Sequence, residues 1–443
     1  MFPADLRDDG RPVTIRRVVG EWTLVVLATP VLAFPSTFPR VTVGVLTLIV
    51  IGMVVVAASD RRALSLGTIA GSLRLPWTLL ASTMLVGAIV SPFPELTLPK
   101  LSGLVLGMLF LRAVLLTATT AARVWSVAWI YMLTGFGTVV AGLLVSPDAG
   151  RYASYVKYEA LWSISSAIPR LVGGLPGAEQ GVNPNALGGT TLFFLPVLGA
   201  LAWHYLGAAK SAEAYDGGGR RAARLKGVGC TIAVLVIGVI LILSESRAAW
   251  VAVAVAGPLA VAAQSRSRAL YLLGGGAVTL GLLGWMWWSP ANTLRALGFG
   301  RLTAWSIAIE AIREHPISGV GLGAFRGLAP ALQVNVPEPI LPLPHAHNVF
   351  LQAALDVGLP GLAAYLALLG AATYMTWQVL RHDEDREERA LCLGLWAGLV
   401  AIHVFGLVDA IALGAKVGIF LWWNLGVIAA LHHVAAARWK RRL

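Results

Sequence analysis

Val228–Ser244 reads VGCTIAVLVIGVILILS, and the next six residues, Glu245–Trp250, read ESRAAW. The first stretch holds no charged side chain. As a helix, an apolar run approaching 20 residues covers a hydrocarbon core of ~30 Å. A second apolar run, Ala248–Ala263, begins almost at once. Both runs are continuous rather than alternating, which argues against a transmembrane β-barrel. The stretch predicts two membrane helices joined by almost no loop, with Arg247 at the junction.

The same pattern recurs outward from this pair. Further apolar runs fall at Val18–Phe38, Val41–Ser59, Leu75–Val90, Leu101–Thr117, Val124–Val145, Leu187–Leu206, Ala269–Trp288, Pro360–Leu380, Ala390–Asp409 and Ala412–Ala436. The chain of 443 residues is 57% hydrophobic and only 13% charged, where a soluble domain carries roughly 25% charged residues. The expected fold is an all-α polytopic membrane protein with about 12 transmembrane helices and a periplasmic helical loop domain. Cys230 and Cys392 both fall inside expected spans, so they suggest no disulfide framework. No internal repeat and no coiled-coil heptad is visible.

The net charge of +12 sits mainly in short loops. Arg16 and Arg17, Arg61, Arg62 and Arg74, Arg123, the Lys210–Lys226 loop, Arg266 and Arg268, Arg381–Arg389 and the tail Arg438–Arg442 all alternate onto one side. That side is cytoplasmic by the positive-inside rule, and no nucleic-acid partner is expected. The N-terminal residues lack a cleavable signal pattern, so insertion by the first span is expected. The organisation expected is helices 1–5 over 1–145, a periplasmic amphipathic segment over 146–186, helices 6–9 over 187–288, a large periplasmic loop over 289–348, and helices 10–12 with a basic tail over 349–443. Tyr152, Tyr155, Tyr158 and Trp162 recur at helical spacing in the 146–186 segment, as in a helix lying at the interface.

Polar groups are sparse on the outer side, so each can be weighed. Arg247 lies where the orientation rule depletes arginine, and a guanidinium there suits a two-pronged grip on a phosphate. The alternatives are an arginine reaching to lipid headgroups or a partner for Glu245. Arg301 follows the glycines of GFGR and is expected to open a helix running to Glu314. Positive charge at a helix start is unfavourable, which hints at use elsewhere. Arg170 and Arg326 are further outer-side positives, carried as secondary candidates with Asn348.

Pro344–Leu362 reads PHAHNVFLQAALDVGLPGL, a polar head on a helix that runs into an apolar span. His345 and His347 would point to different faces of a helix and to one side of an extended chain. Carboxylates or thiols at metal-ligand spacing do not accompany them, so no metal is expected. A neutral imidazole acting as general base is the better use. His347 is the first choice, because Asn348 and the helix start follow it; His345 would orient it or bind sugar. Asp356, Asp409 and Lys416 lie in or near spans, where a buried structural pair is the default. Neither a phosphate-binding glycine loop nor a serine-nucleophile elbow is present.

SESRAAW at 244–250, GFGRLTAWSIAIEAIREHPISGVGLGAF at 298–325 and HAHNVFLQAALDVGLPGLAAYL at 345–366 together resemble the O-antigen ligase/polymerase superfamily. Length and span count resemble the lipopolysaccharide O-antigen ligases most, with the polymerases as runner-up. The resemblance implies transfer of a glycan from undecaprenyl pyrophosphate to a sugar hydroxyl of lipid A–core, at the periplasmic face of the bacterial inner membrane. It implies no nucleotide, metal or other cofactor. It places the family's essential histidine on His347 or His345 and its essential arginines on Arg247 and Arg301. Single in-line displacement would invert the sugar's configuration. A transporter of lipid-linked glycan is the rival from another class; it predicts charged residues deep in several spans and paired broken helices.

Overall fold

The structure, a computed structural model, describes residues 15–35, 37, 39–59, 71–144, 159–168, 183–210, 217–264, 268–288, 293–332, 343–410, 413–414 and 417–440. Among them there is no strand. The helices are α1 (Ile15–Ala33), α2 (Pro39–Ser59), α3 (Gly71–Val90), α4 (Pro94–Thr117), α5 (Ala121–Leu144), α6 (Glu159–Ser166), α7 (Pro184–Lys210), α8 (Gly217–Leu243), α9 (Arg247–Gln264), α10 (Arg268–Trp288), α11 (Thr293–Glu314), α12 (Phe325–Leu332), α13 (Val349–His382), α14 (Arg386–Phe405) and α15 (Gly418–Lys440).

Among the described residues, eight helices are long and apolar enough to cross a membrane: α3, α4, α5, α7, α8, α13, α14 and α15. The remaining expected spans fall on four shorter apolar helices, in α1, α2, α9 and α10. Apolar side chains are plentiful on the outside. Leu27, Ile89 and Trp203 are exposed, as side chains on helices facing hydrocarbon would be. The chain is a multi-pass membrane protein. Of the expected amphipathic segment, α6 with Trp162 is described; Tyr152, Tyr155, Tyr158 and Arg170 lie outside the described residues.

The chain forms two compact units. The first is drawn from 1–128, 297–375 and 406–442. Here Val25, Ala28 and Leu32 of α1 pack with Leu46 and Ile49 of α2 and Leu106, Leu109 and Ala113 of α4. Trp22 of α1 meets Phe110 of α4 edge-on at 6.0 Å and donates from its indole to the Thr117 hydroxyl at 2.7 Å. A second core joins Ala304, Ile307, Ala308 and Ala311 of α11 to Val320, Phe325 and Ala329, and to Leu343, Ala346 and Leu355. This alanine-rich face lets α11 lie close to the loop that carries both histidines.

Gly358 decides where the polar head of α13 ends. Its φ of 73° and ψ of 177° interrupt the helix. A Cβ at this site would collide with the Ile317 carbonyl, so only glycine fits both the conformation and the space. Leu359 N–H donates to Pro316 C=O at 2.8 Å, and Val320 N–H to Leu355 C=O at 2.8 Å. The 316–320 turn is thereby fastened to the head, Val349–Val357, and the apolar span restarts beyond it.

The second unit is drawn from 129–296 and 376–405. Within it α7 and α14 are the most enclosed helices, and α8 is far more exposed. Small residues allow the close approach: Gly394 of α14 stands against Val197, and Gly398 against the backbone of Phe193. Tyr131 and Phe194 stack at 5.0 Å. The Tyr205 hydroxyl donates to the Glu387 carboxylate, which Lys226 also approaches at 3.4 Å.

Candidate active site

The first unit brings His345, His347, Asn348 and Arg301 into one neighbourhood. The 344–348 segment is neither helical nor extended. His347 has a left-handed backbone, φ 48°, which costs a non-glycine residue roughly 1–3 kcal/mol. The turn folds the two rings together, with centroids 4.2 Å apart and planes inclined at 59°. The two histidine rings therefore lie side by side.

The hydrogen bonds fix the tautomer of one ring. His347 N–H donates to His345 Nδ1 at 3.1 Å. A neutral His345 must then carry its proton on Nε2, and Nε2 lies 3.8 Å from Asp409 Oδ1. Nδ1 of His347 is buried and makes no hydrogen bond. Burial, then His347, Lys100 and Arg301, push the His345 pKa down to about 3. Burial also lowers that of His347; Asp409 pulls it up and Arg301 pushes it further down. At neutral pH both imidazoles are uncharged, the form that can accept a proton.

Asp409 was not legible as a site residue. It lies in the turn after α14, is 6% exposed, and accepts Ala410 N–H at 2.8 Å. Sequence reading offers no well-placed outer carboxylate; the fold supplies one. Asn348 explains how. Its Oδ1 caps α13, accepting Phe350 N–H at 2.9 Å and Leu351 N–H at 3.0 Å. Its Nδ2 donates to Leu407 C=O at 3.1 Å, and Val349 N–H to Gly406 C=O at 2.7 Å. These bonds dock the 406–409 turn onto the head of α13 and set the carboxylate beside the histidines. Asn348 thus serves as cap and tie.

Donor atoms of His345, His347 and Asp409 lie within 4.8 Å of one another, close enough to share a cation. The charge beside them opposes that use. Arg301 bears on both rings, so a divalent ion would be brought up against a fixed positive charge; the Lys100 ammonium is paired with Asp356.

Arg301 sits differently from expectation. α11 begins at Thr293 and runs through the glycines of GFGR, so Arg301 is inside the helix and the argument from an unfavourable helix start falls. What commends it is its place, half-buried beside the imidazoles. One turn on, the Trp305 indole donates to His347 C=O at 3.3 Å, tying α11 to the turn. Arg326 is exposed on α12.

Arg247 belongs to the second unit. It is the first residue of α9 and is 8% exposed. The turn before it is built tightly. Glu245 has φ 50°, the Ser246 hydroxyl donates to Asn185 Oδ1 at 3.1 Å, and Gly188 leaves no room for a Cβ beside Ser244 and Ser246. A buried guanidinium at the start of an 18-residue helix adds its donors to the backbone N–H groups that converge there.

One partner comes from a position the sequence does not mark: Lys100 of α4 pairs with the buried Asp356 of α13, so Asp356 does have a partner, though not Lys416, which lies outside the described residues.

No curated protein matches the chain. Residues 232–366 match a family model described as O-Antigen ligase. That stretch contains Arg247, Arg301, His345, His347 and Asn348, while Lys100 and Asp409 lie outside it. Over residues 232–366 the chain is therefore similar to the O-antigen ligase family.

Proposed function

We propose that the protein is an O-antigen ligase of the bacterial inner membrane, working on the periplasmic face. It transfers a polysaccharide from undecaprenyl pyrophosphate to a sugar hydroxyl of lipid A–core. The observation that carries this reading is the pairing of the His345 and His347 rings, 4.2 Å apart, with Arg301 near enough to act on both electrostatically, within the family-matched stretch.

The chemistry follows from the charges. The acceptor oxygen attacks the anomeric carbon as the bond to the pyrophosphate oxygen breaks. His347 takes the hydroxyl proton, and the resulting imidazolium is stabilised by the Asp409 carboxylate. Negative charge grows on the leaving pyrophosphate, and Arg301 supplies donors to it without a metal, with Arg247 the further candidate for that role. Attack and departure on opposite faces invert the anomeric centre. The products are the glycosylated core and free undecaprenyl pyrophosphate. Both termini are placed in the cytoplasm, and the 289–348 segment in the periplasm.

The nearest alternative is a polymerase of the same superfamily, which would use a second lipid-linked glycan as acceptor. Lipopolysaccharide from a deletion strain separates the two. A ligase deletion leaves core without any O-antigen while lipid-linked polymer accumulates. Core capped with a single repeat unit would mean that a polymerase was lost. Normal banding would refute both.

A further inference from the structure

We infer that Gln352 is a positioning residue that holds the backbone between His345 and His347 in its left-handed turn, with its own orientation set by the buried Asp356 and its Lys100 partner. This inference rests on the reading of His347 as the base.

Gln352 is 3% exposed, in the first turn of α13. Its Oε1 accepts Ala346 N–H at 2.9 Å, and its Nε2 donates to Asp356 Oδ1 at 3.1 Å. The two ends of the amide are not interchangeable here. A flipped amide would set oxygen against the carboxylate and NH2 against an N–H, so only one orientation is satisfied. Asp356 is itself immobilised. Its Oδ1 also accepts Gly323 N–H at 3.0 Å, and its carboxylate pairs with the Lys100 ammonium from α4. A continuous line of polar contacts thus runs from α4 through Asp356 and Gln352 to Ala346, inside the first unit.

Ala346 is wholly buried in the core shared with α11. Water could not replace Gln352 without opening that core. The next residue is strained, so the turn persists only if its surroundings over-determine it. Three bonds do so. Gln352 holds Ala346 N–H, His345 holds His347 N–H, and Trp305 holds His347 C=O. Of the three, only Gln352 connects the turn to the rigid head of α13. A buried amide that merely filled space would not need both of its ends committed, nor an ion pair behind it.

The test uses full-length Gln352→Leu protein purified in detergent, assayed with lipid-linked donor and lipid A–core, with hydrogen exchange followed over residues 343–350. We expect kcat to fall by about 10–100-fold, as displacement of a reacting group by an ångström does, while KM for the donor stays within about two-fold, because no phosphate contact is touched. Exchange should quicken over 343–350 and stay slow in α4 and in α13 beyond Gly358. Wild-type turnover and exchange in this variant would overturn the inference and leave the function standing. An active His347→Ala protein would overturn both, since no base would remain to be positioned. If Gln352→Leu fails to accumulate, the wild-type protein decides: the Ala346 and His347 amides must exchange as slowly as the first turn of α13, and fast exchange there overturns the inference.

Discussion

His347→Ala protein is expected to lose about 10²–10⁴-fold in glycan transfer, the usual contribution of a positioned base, while still binding the lipid-linked donor. The proton acceptor is used in the transition state, whereas the pyrophosphate is gripped by other residues. His345→Ala should also be damaging, because its Nδ1 receives His347 N–H and its ring packs on His347. In the wild type the pH profile carries the same signature. The base works unprotonated, so the rate rises with pH through the His347 pKa and then levels. Burial and Arg301 hold that pKa below 6.5, against the opposing pull of Asp409. The acid limb of kcat/KM should therefore have its midpoint below pH 6.5, and Asp409→Asn should move it lower still. A midpoint above 6.5, or normal turnover without His347, contradicts the assignment.

Arg301→Lys is expected to cost about 10²–10³-fold, the scale seen when one donor to a developing oxyanion is removed. Charge is retained, so the loss would report geometry. A guanidinium presents a planar fork to phosphate oxygens, and an ammonium is a point charge on a flexible stem. Arg247→Lys should behave alike, since its guanidinium is buried at the start of α9. Both variants should raise the donor KM as well as lower kcat, because the pyrophosphate is charged before and after bond cleavage. Full activity in a normally expressed lysine variant would reduce that arginine to a headgroup anchor.

The helices were legible because apolar length is a local property. Each expected span falls on a helix, and the restart of α13 beyond Gly358 follows the polar-to-apolar change around Pro360. His345, His347 and Arg301 stand out in the sequence because polar groups are rare between the apolar runs, and the fold does bring these three into one unit. Other features were hidden by distance along the chain. Asp409 reads as one more polar residue at a span end, and only the docking of its turn through Asn348 and Val349 brings it to His345. Lys100 reads as an ordinary charge near the start of α4; its use appears when α4 packs beside Asp356. The pairing of the two rings was hidden for another reason. Period-based rules treat a segment as helix or strand, and a left-handed His347 is neither. Arg301 was misread as a helix start because two nearby glycines suggest a break, which α11 passes through.

The most direct measurement follows both products of a single reaction. Purified protein is mixed with defined lipid-linked glycan and lipid A–core, and released undecaprenyl pyrophosphate is quantified against glycosylated core. Equal amounts of the two are expected, formed with the anomeric configuration inverted and undiminished by a metal chelator. Glycan moved across a membrane with its lipid linkage intact, and no pyrophosphate released, would contradict it.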